Sequence, residues 1–276
     1  MTRVKALDVS SHGGEIPPIR WRTARENGWE LAVVQLWGGL PGNTMGPNPH
    51  AKQQLVGARA AGLLTAGYIW IPPDTTLDTS ELIKVARAAA GDEESHLAFI
   101  APDIEDPQRR RLHPINPEAR LGDALAHLHG VRKAIYTSRS MWGPIMANTT
   151  VFKSIPLWDA DFDRGEDLDA TFRPYGGWTE RAMLQYKGTT DVHGISADLN
   201  VADLERLGIA PAPSIPEHLY ANGLSLLAKR FAAIVDWYPL TKAQEGDQVR
   251  EAAFVAAWRE FYDYEVLPRL DWMQRE

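Results

Sequence analysis

Asp103 and Glu105 stand two positions apart where an apolar run, Ala98-Phe99-Ile100-Ala101-Pro102, gives way to acid. Side chains alternate faces along a strand, so the two carboxylates project to the same side, with Cα atoms roughly 6.6 Å apart. Like charges held together raise each other's pKa, and one group then keeps its proton while the other ionises. A protonated acid beside an anionic stabiliser is the equipment that hydrolysis of a glycosidic bond requires. A solvated acidic turn closing a strand is the plainer reading of this segment by itself. What the rest of the chain brings to the same place decides between them.

The elements that must position these acids recur in a regular order. Val4–Val9, Leu31–Trp37, Leu63–Ile71, Leu97–Glu105 and Lys133–Thr137 read as apolar strands. Helices are predicted near Trp21–Glu26, Ala51–Ala61, Thr79–Ala90 (with Thr79 as candidate cap) and Pro117–Leu128, and Leu40–Pro49 reads as a long loop. Apolar strands alternating with amphipathic helices indicate parallel strands buried on both faces. After residue 150 two further strands, Pro156–Phe162 and Ala182–Tyr186, follow without a helix of normal length between them. The expectation is an α/β fold, an irregular TIM-like barrel closed by antiparallel strands. Functional side chains of such a barrel gather at the C-terminal ends of its strands. Asp8 and Ser10, Gln35 and Trp37, Tyr68 and Trp70, Asp103 and Glu105, and Tyr136 all occupy such ends.

Composition narrows the chemistry. A net charge of −7 argues against nucleic acid as the main partner, because phosphate binding needs a basic face. The absence of cysteine removes disulfides and thiolate metal sites. No stretch has the 18 or so apolar residues of a membrane span, and the N-terminus lacks the apolar core of a signal peptide. Synthesis in the cytoplasm is therefore expected; if the target lies outside, something else must carry or release the protein. Ten tryptophans is a heavy load, and Trp37, Trp70 and Trp158 fall at strand ends where a flat face can meet a sugar. His12 and His193 read as loop residues. Residues 210–216 are a Pro-rich linker. Beyond it, apolar spacings over 217–276 predict a helical hairpin, too small to stand alone, that docks or self-associates. The barrel domain is assigned to residues 1–209.

In this order the pieces resemble the glycoside hydrolases of family 25, the Chalaropsis-type lysozymes. The likeness rests on Leu7-Asp8-Val9-Ser10, Val33-Val34-Gln35-Leu36-Trp37-Gly38-Gly39, Ala61-Gly62-Leu63 with Gly67-Tyr68, and Asp103-Ile104-Glu105. It continues through Ala134-Ile135-Tyr136-Thr137, Pro156-Leu157-Trp158-Asp159-Ala160, Leu184-Gln185-Tyr186 and Asp198-Leu199-Asn200. The resemblance implies a (β/α)5β3 barrel, with no cofactor or metal, that cleaves the β-1,4 bond between N-acetylmuramic acid and N-acetylglucosamine in bacterial peptidoglycan. It assigns Glu105 as general acid/base and Asp103 as the carboxylate that steadies the substrate's 2-acetamido group during its attack. Asp8 and Asp198 match the two further acids of the groove, and Tyr68, Tyr136, Trp158 and Gln185 match its lining. Charges on Asp103 and Asp8 are expected to keep Glu105 protonated.

Three positions depart from the family pattern. His12-Gly13-Gly14 replaces a Gln-Gly pair, Gln35 stands where a basic residue is usual, and Tyr68 is followed by Ile69-Trp70-Ile71-Pro72-Pro73. Trp70 and Gln35 are accordingly counted with the substrate-binding residues, Trp70 as a sugar platform. The basic run Arg109-Arg110-Arg111 follows the acidic strand and faces either solvent or anionic wall polymers. Two other functions remain compatible with the sequence: a glycan-binding barrel without activity, and a metal-dependent hydrolase using Asp8, Asp103, Glu105 and Asp198 as oxygen ligands.

Overall fold

The computed structural model describes residues 3–42, 44–72, 77–105, 116–163, 165–170 and 172–209. The basic run at 109–111, the linker at 210–216 and the helical hairpin assigned to 217–276 lie outside the described residues. Among the described residues are nine strands: β1 (Arg3–Val9), β2 (Trp29–Leu40), β3 (Thr44–Pro47), β4 (Leu64–Trp70), β5 (Ile100–Asp103), β6 (Ile135–Thr137), β7 (Leu157–Ala160), β8 (Met183–Val192) and β9 (Ile195–Asp203). Five α-helices among the described residues alternate with the first of them: α1 (Pro18–Glu26), α2 (Ala51–Ala60), α3 (Thr79–Ala90), α4 (Pro117–His127) and α5 (Arg139–Met146).

The sheet runs β1-β9-β8-β7-β6-β5-β4-β2, and β1 pairs with β2 to close an eight-strand barrel; β3 hangs on β2 as a short hairpin. This is the (β/α)5β3 arrangement. The closing strands differ from expectation. β7 and β8 run parallel to their predecessors, and β9 alone is antiparallel. A parallel return needs a crossover of a dozen or more residues. Residues 161–182 supply that length, with no helix among the described ones. β9 then follows β8 through a two-residue turn in which His193 and Gly194 both have positive φ, 54° and 82°. That turn geometry matches the strand twist of a hairpin. It also places Asp198 in mid-strand.

Two cores explain the strand sequences. Alternate residues Val4 and Ala6, Leu31 and Val33, Ala66, Phe99 and Ala101, Ala134, Trp158, Met183 and Ala202 form one buried cluster. They fill the barrel. Leu7, Val34, Leu36, Ile69, Ile100, Ile104, Ile135 and Leu157 belong to a second cluster with the apolar faces of the helices. Strands buried on both faces read as continuous apolar runs for this reason. Gly67 shows how tightly the outer layer packs: a Cβ there would come within 2.6 Å of Leu36 Cδ1.

Four local features differ from the sequence expectation. Leu40–Pro49 holds β3. Asp78, not Thr79, caps α3, its carboxylate accepting from Glu81 N at 2.9 Å. α5 carries Pro144 in its interior, which masks its helical pattern. β5 stops at Asp103, so Glu105 lies beyond the strand. No helix among the described residues is long and apolar enough to cross a membrane.

Candidate active site

Extending the inner alternation by one step at the C-terminal end of each strand gives the site. Above Ala6 comes Asp8, above Val33 Gln35, above Ala66 Tyr68, above Ala101 Asp103, above Ala134 Tyr136, and above Met183 Gln185. β9 runs the other way, so Asn200 and Asp198 precede Ala202 in the chain yet reach the same layer; Asp198 is the register partner of Asp8. Ile104 packs outward among the helices, and Asp103 and Glu105 on either side of it face the barrel mouth. The fold thus turns the spacing of two into a shared face.

Hydrogen bonds tie this layer together. Gln185 Nε2 donates to Asp8 Oδ2 at 2.9 Å and to Asp198 Oδ2 at 3.2 Å, and its Oε1 accepts from the Tyr136 hydroxyl at 2.9 Å. Asn200 Nδ2 donates to Asp8 Oδ2 at 2.6 Å while its Oδ1 accepts from Trp158 Nε1 at 2.8 Å. One oxygen of Asp103, Oδ1, is buried without a hydrogen-bond partner in the protein. A buried acceptor in that state invites a donor from a ligand or from water.

The carboxyls titrate high. Burial is the main reason at each. It lifts Asp8 to about 7, with Asp198 adding repulsion and the amides of Asn200 and Gln185 pulling the other way. Burial raises Asp103 well above the carboxylate range, and repulsion from Glu105 and Asp8 adds to it. Burial also raises Glu105 and Asp198, with Asp198 repelling Glu105. Repulsion links Glu105 to Asp103 and Asp8 as well as to Asp198, so Asp198 joins the pair expected from sequence in disfavouring ionisation of the whole group. Tyr68 and Tyr136 are pushed up by burial and then by the surrounding acids, so both remain neutral hydroxyls.

Two residues assigned to the lining do other work. Trp158 is 1% exposed. It lies beneath Tyr136 and Tyr68, edge-on to both, with ring centroids 4.6 and 6.2 Å away. It supports those rings and holds Asn200, and it has no free face for a sugar. Gln35 is also buried; its Oε1 accepts from Ser11 N at 3.1 Å and so anchors the loop after β1. Tyr68, Tyr136 and Trp70 keep partial exposure. Gln185, 3% exposed, is the bridge at the floor.

A cavity of about 640 Å³ opens beside Glu105 and Tyr136 and extends past Asp159, Phe162, Phe172 and Arg173. That size suits a few sugar rings or another compact ligand. Sequence reading missed this wall, because it comes from α5 and from the irregular crossover 161–182. Buried Arg181 shapes the crossover by donating to the carbonyls of Leu168, Asp167 and Ala170 and to Asp159 Oδ2 at 3.1 Å. The Tyr175 hydroxyl completes the knot on Asp159 Oδ1 at 2.7 Å. Asn200 was also missed, although its register opposite Ala6 and Gln185 marks it as inward. Among the described residues, no three His, Cys, Asp or Glu side chains converge in a way that could hold a metal ion.

Comparison with known proteins agrees with this architecture. Residues 7–195 match the model of the glycosyl hydrolases family 25. Probable GH family 25 lysozyme 2 of Dictyostelium discoideum is 28% identical over 176 residues, which are 63% of this chain and 80% of that protein. Probable GH family 25 lysozyme 3 of the same organism is 37% identical over 71 residues, 26% of this chain and 15% of that protein. In fold, the chain is similar to a family GH25 lysozyme from Aspergillus fumigatus, with a TM-score of 0.60 at 19% identity over 76% of this chain and 99% of that one. The family match runs from within β1 to the start of β9 and takes in Asp8, Asp103 and Glu105, with Asp198 beyond it: this chain belongs to family 25 of the glycosyl hydrolases.

Proposed function

We propose that the chain is a peptidoglycan hydrolase of the N-acetylmuramidase type, cleaving the β-1,4 bond between N-acetylmuramic acid and N-acetylglucosamine. The carrying observation is the placement of Asp103 and Glu105 on one face at the barrel mouth, beside an open cavity. Its relatives' name, lysozyme, supports the same substrate. Glu105, its pKa raised by burial, holds the proton that passes to the glycosidic oxygen as the C1–O bond breaks. The substrate's acetamido oxygen forms a bond to C1 from the opposite face. Asp103 Oδ1, buried and unpartnered, accepts from the acetamido N–H; burial raises the pKa of this carboxyl in the free site, and the positive charge that develops on the acetamido group favours its ionised form, which then balances that charge. Glu105, now ionised, takes a proton from the water that opens this intermediate. The sugar configuration is retained, because C1 is displaced twice. Asp8 and Asp198, bridged by Gln185, hold the acid end of the site in shape, while Tyr68 and Tyr136 line it.

Glu105→Gln tests the proposal. It deletes the proton donor and little else, so the folded variant is expected to release no fragments from purified peptidoglycan while still sedimenting with it. Mass spectrometry of wild-type products should show N-acetylmuramic acid at the new reducing ends. Near-normal lysis by folded Glu105→Gln, or N-acetylglucosamine at those ends, would overturn it.

A further inference from the structure

Among the described residues, Glu105 makes no backbone–backbone hydrogen bond of the kind that fixes Asp103 and Ile104. β5 ends at Asp103, whose carbonyl accepts from Ile71 N at 2.9 Å on the β4 side. Ile104 is held on the β6 side: its N–H donates to Tyr136 O at 2.9 Å and its carbonyl accepts from Thr137 Oγ1 at 2.8 Å. Past that point the carbonyl of Glu105 accepts from the indole Nε1 of Trp70 at 2.9 Å. Trp70 is the last residue of β4 and the register partner of Asp103. Its ring packs on buried Trp37, with centroids 6.4 Å apart and planes tilted by 30°. Gly38 adjoins this pair; a Cβ there would lie 3.5 Å from Trp70 Cβ and 2.6 Å from Gln35 Nε2. The indole is thus clamped by apolar packing and spends its one polar atom on the peptide that bears the acid. Trp70 does not contribute to the wall of the 640 Å³ cavity, whereas Glu105 does.

We infer that Trp70 is a positioning residue for Glu105, fixing the acid's backbone through the indole–carbonyl hydrogen bond, and is not the sugar platform its sequence position indicated. The inference rests on the reading of Glu105 as the general acid. A proton donor must be held close to its productive geometry, and misplacement by about 1 Å can cost about 100-fold in rate. A strand ladder supplies that rigidity to Asp103; at Glu105 a side chain does so.

The test is Trp70→Phe in the full chain, which keeps a ring against Trp37 and removes only the donor. On soluble peptidoglycan fragments, kcat is expected to fall roughly 10- to 100-fold with KM changed by less than about twofold. Trp37→Phe disturbs the same ring stack without touching the donor, and should leave kcat within about twofold. A KM raised severalfold at unchanged kcat would restore the platform role and overturn the inference. So would wild-type kinetics in Trp70→Phe, or an equal loss of kcat in both variants. Should Trp70→Phe not fold, the wild-type chain decides: the assigned Trp70 indole N–H should exchange with solvent at least about tenfold more slowly than exposed indoles, and fast exchange refutes the bond. Glu105→Gln in parallel separates the two ideas. If it is active, the functional proposal fails; if it is dead while Trp70→Phe matches wild type, only the positioning role fails.

Discussion

Asp8 and Asp198 face each other as register partners across the antiparallel pair of β1 and β9, and one amide nitrogen, Nε2 of Gln185, donates to both. Like charges directly opposite on a sheet are unfavourable. Burial makes this pair more so, and the site answers by holding protons that free carboxylates would release.

Stability should therefore depend on pH in a definite direction. The pKa of Asp8 is raised from 3.8 to about 7 in the folded chain, so between those values the folded state binds more protons than the unfolded. Its contribution to stability is complete below about pH 4 and is lost as pH rises through 7. Asp8→Asn keeps an acceptor for Gln185 and Asn200 without the charge. The variant is expected to melt higher than wild type at pH 8, with the gap closing toward pH 4, as read by thermal unfolding across that range. A wild-type advantage at pH 8 would contradict the assignment.

Asp103→Asn should lower kcat by about 10²–10³, the range typical for removal of one transition-state stabiliser, with a smaller change in KM. The amide has the size of the carboxyl but cannot bear the charge that balances the developing cation. Steady-state kinetics on soluble glycan fragments measure this; a change confined to KM would make Asp103 a binding residue only.

Arg181 is almost fully buried and pairs with Asp159 while bonding three carbonyls of the 161–182 crossover. Arg181→Met leaves the buried Asp159 without its cation, a type of change that costs about 3–5 kcal/mol. Denaturant unfolding should show that loss. Because the crossover forms one wall of the cavity, KM should rise even where the variant folds.

Hydrolysis should persist in EDTA, since the substrate's acetamido oxygen supplies the nucleophile in the proposed route. Loss of activity on chelation, restored by Mg²⁺ or Ca²⁺, would bring the metal-dependent reading forward.

The sequence by itself determined the barrel and the layer in which its chemistry lies. Strands that alternate between two cores continue that alternation into polar residues at their ends, so Asp8, Tyr68, Asp103 and Tyr136 are legible as one ring, which Gln185 joins through the family resemblance. The same period placed Glu105 on the face of Asp103. What sequence did not carry is which partner each group meets and how deep each ring sits. Asp8 meets Gln185 and Asn200 across 177 and 192 residues of chain, contacts that exist only once β8 and β9 close the barrel. Trp158 and Trp70 both stand at strand ends, yet one is sealed beneath two tyrosines and the other is turned onto the carbonyl of Glu105. Local pattern fixes the face of a strand from which a side chain projects; its depth and its partner are set by the neighbouring strands, and those are chosen by closure of the whole sheet.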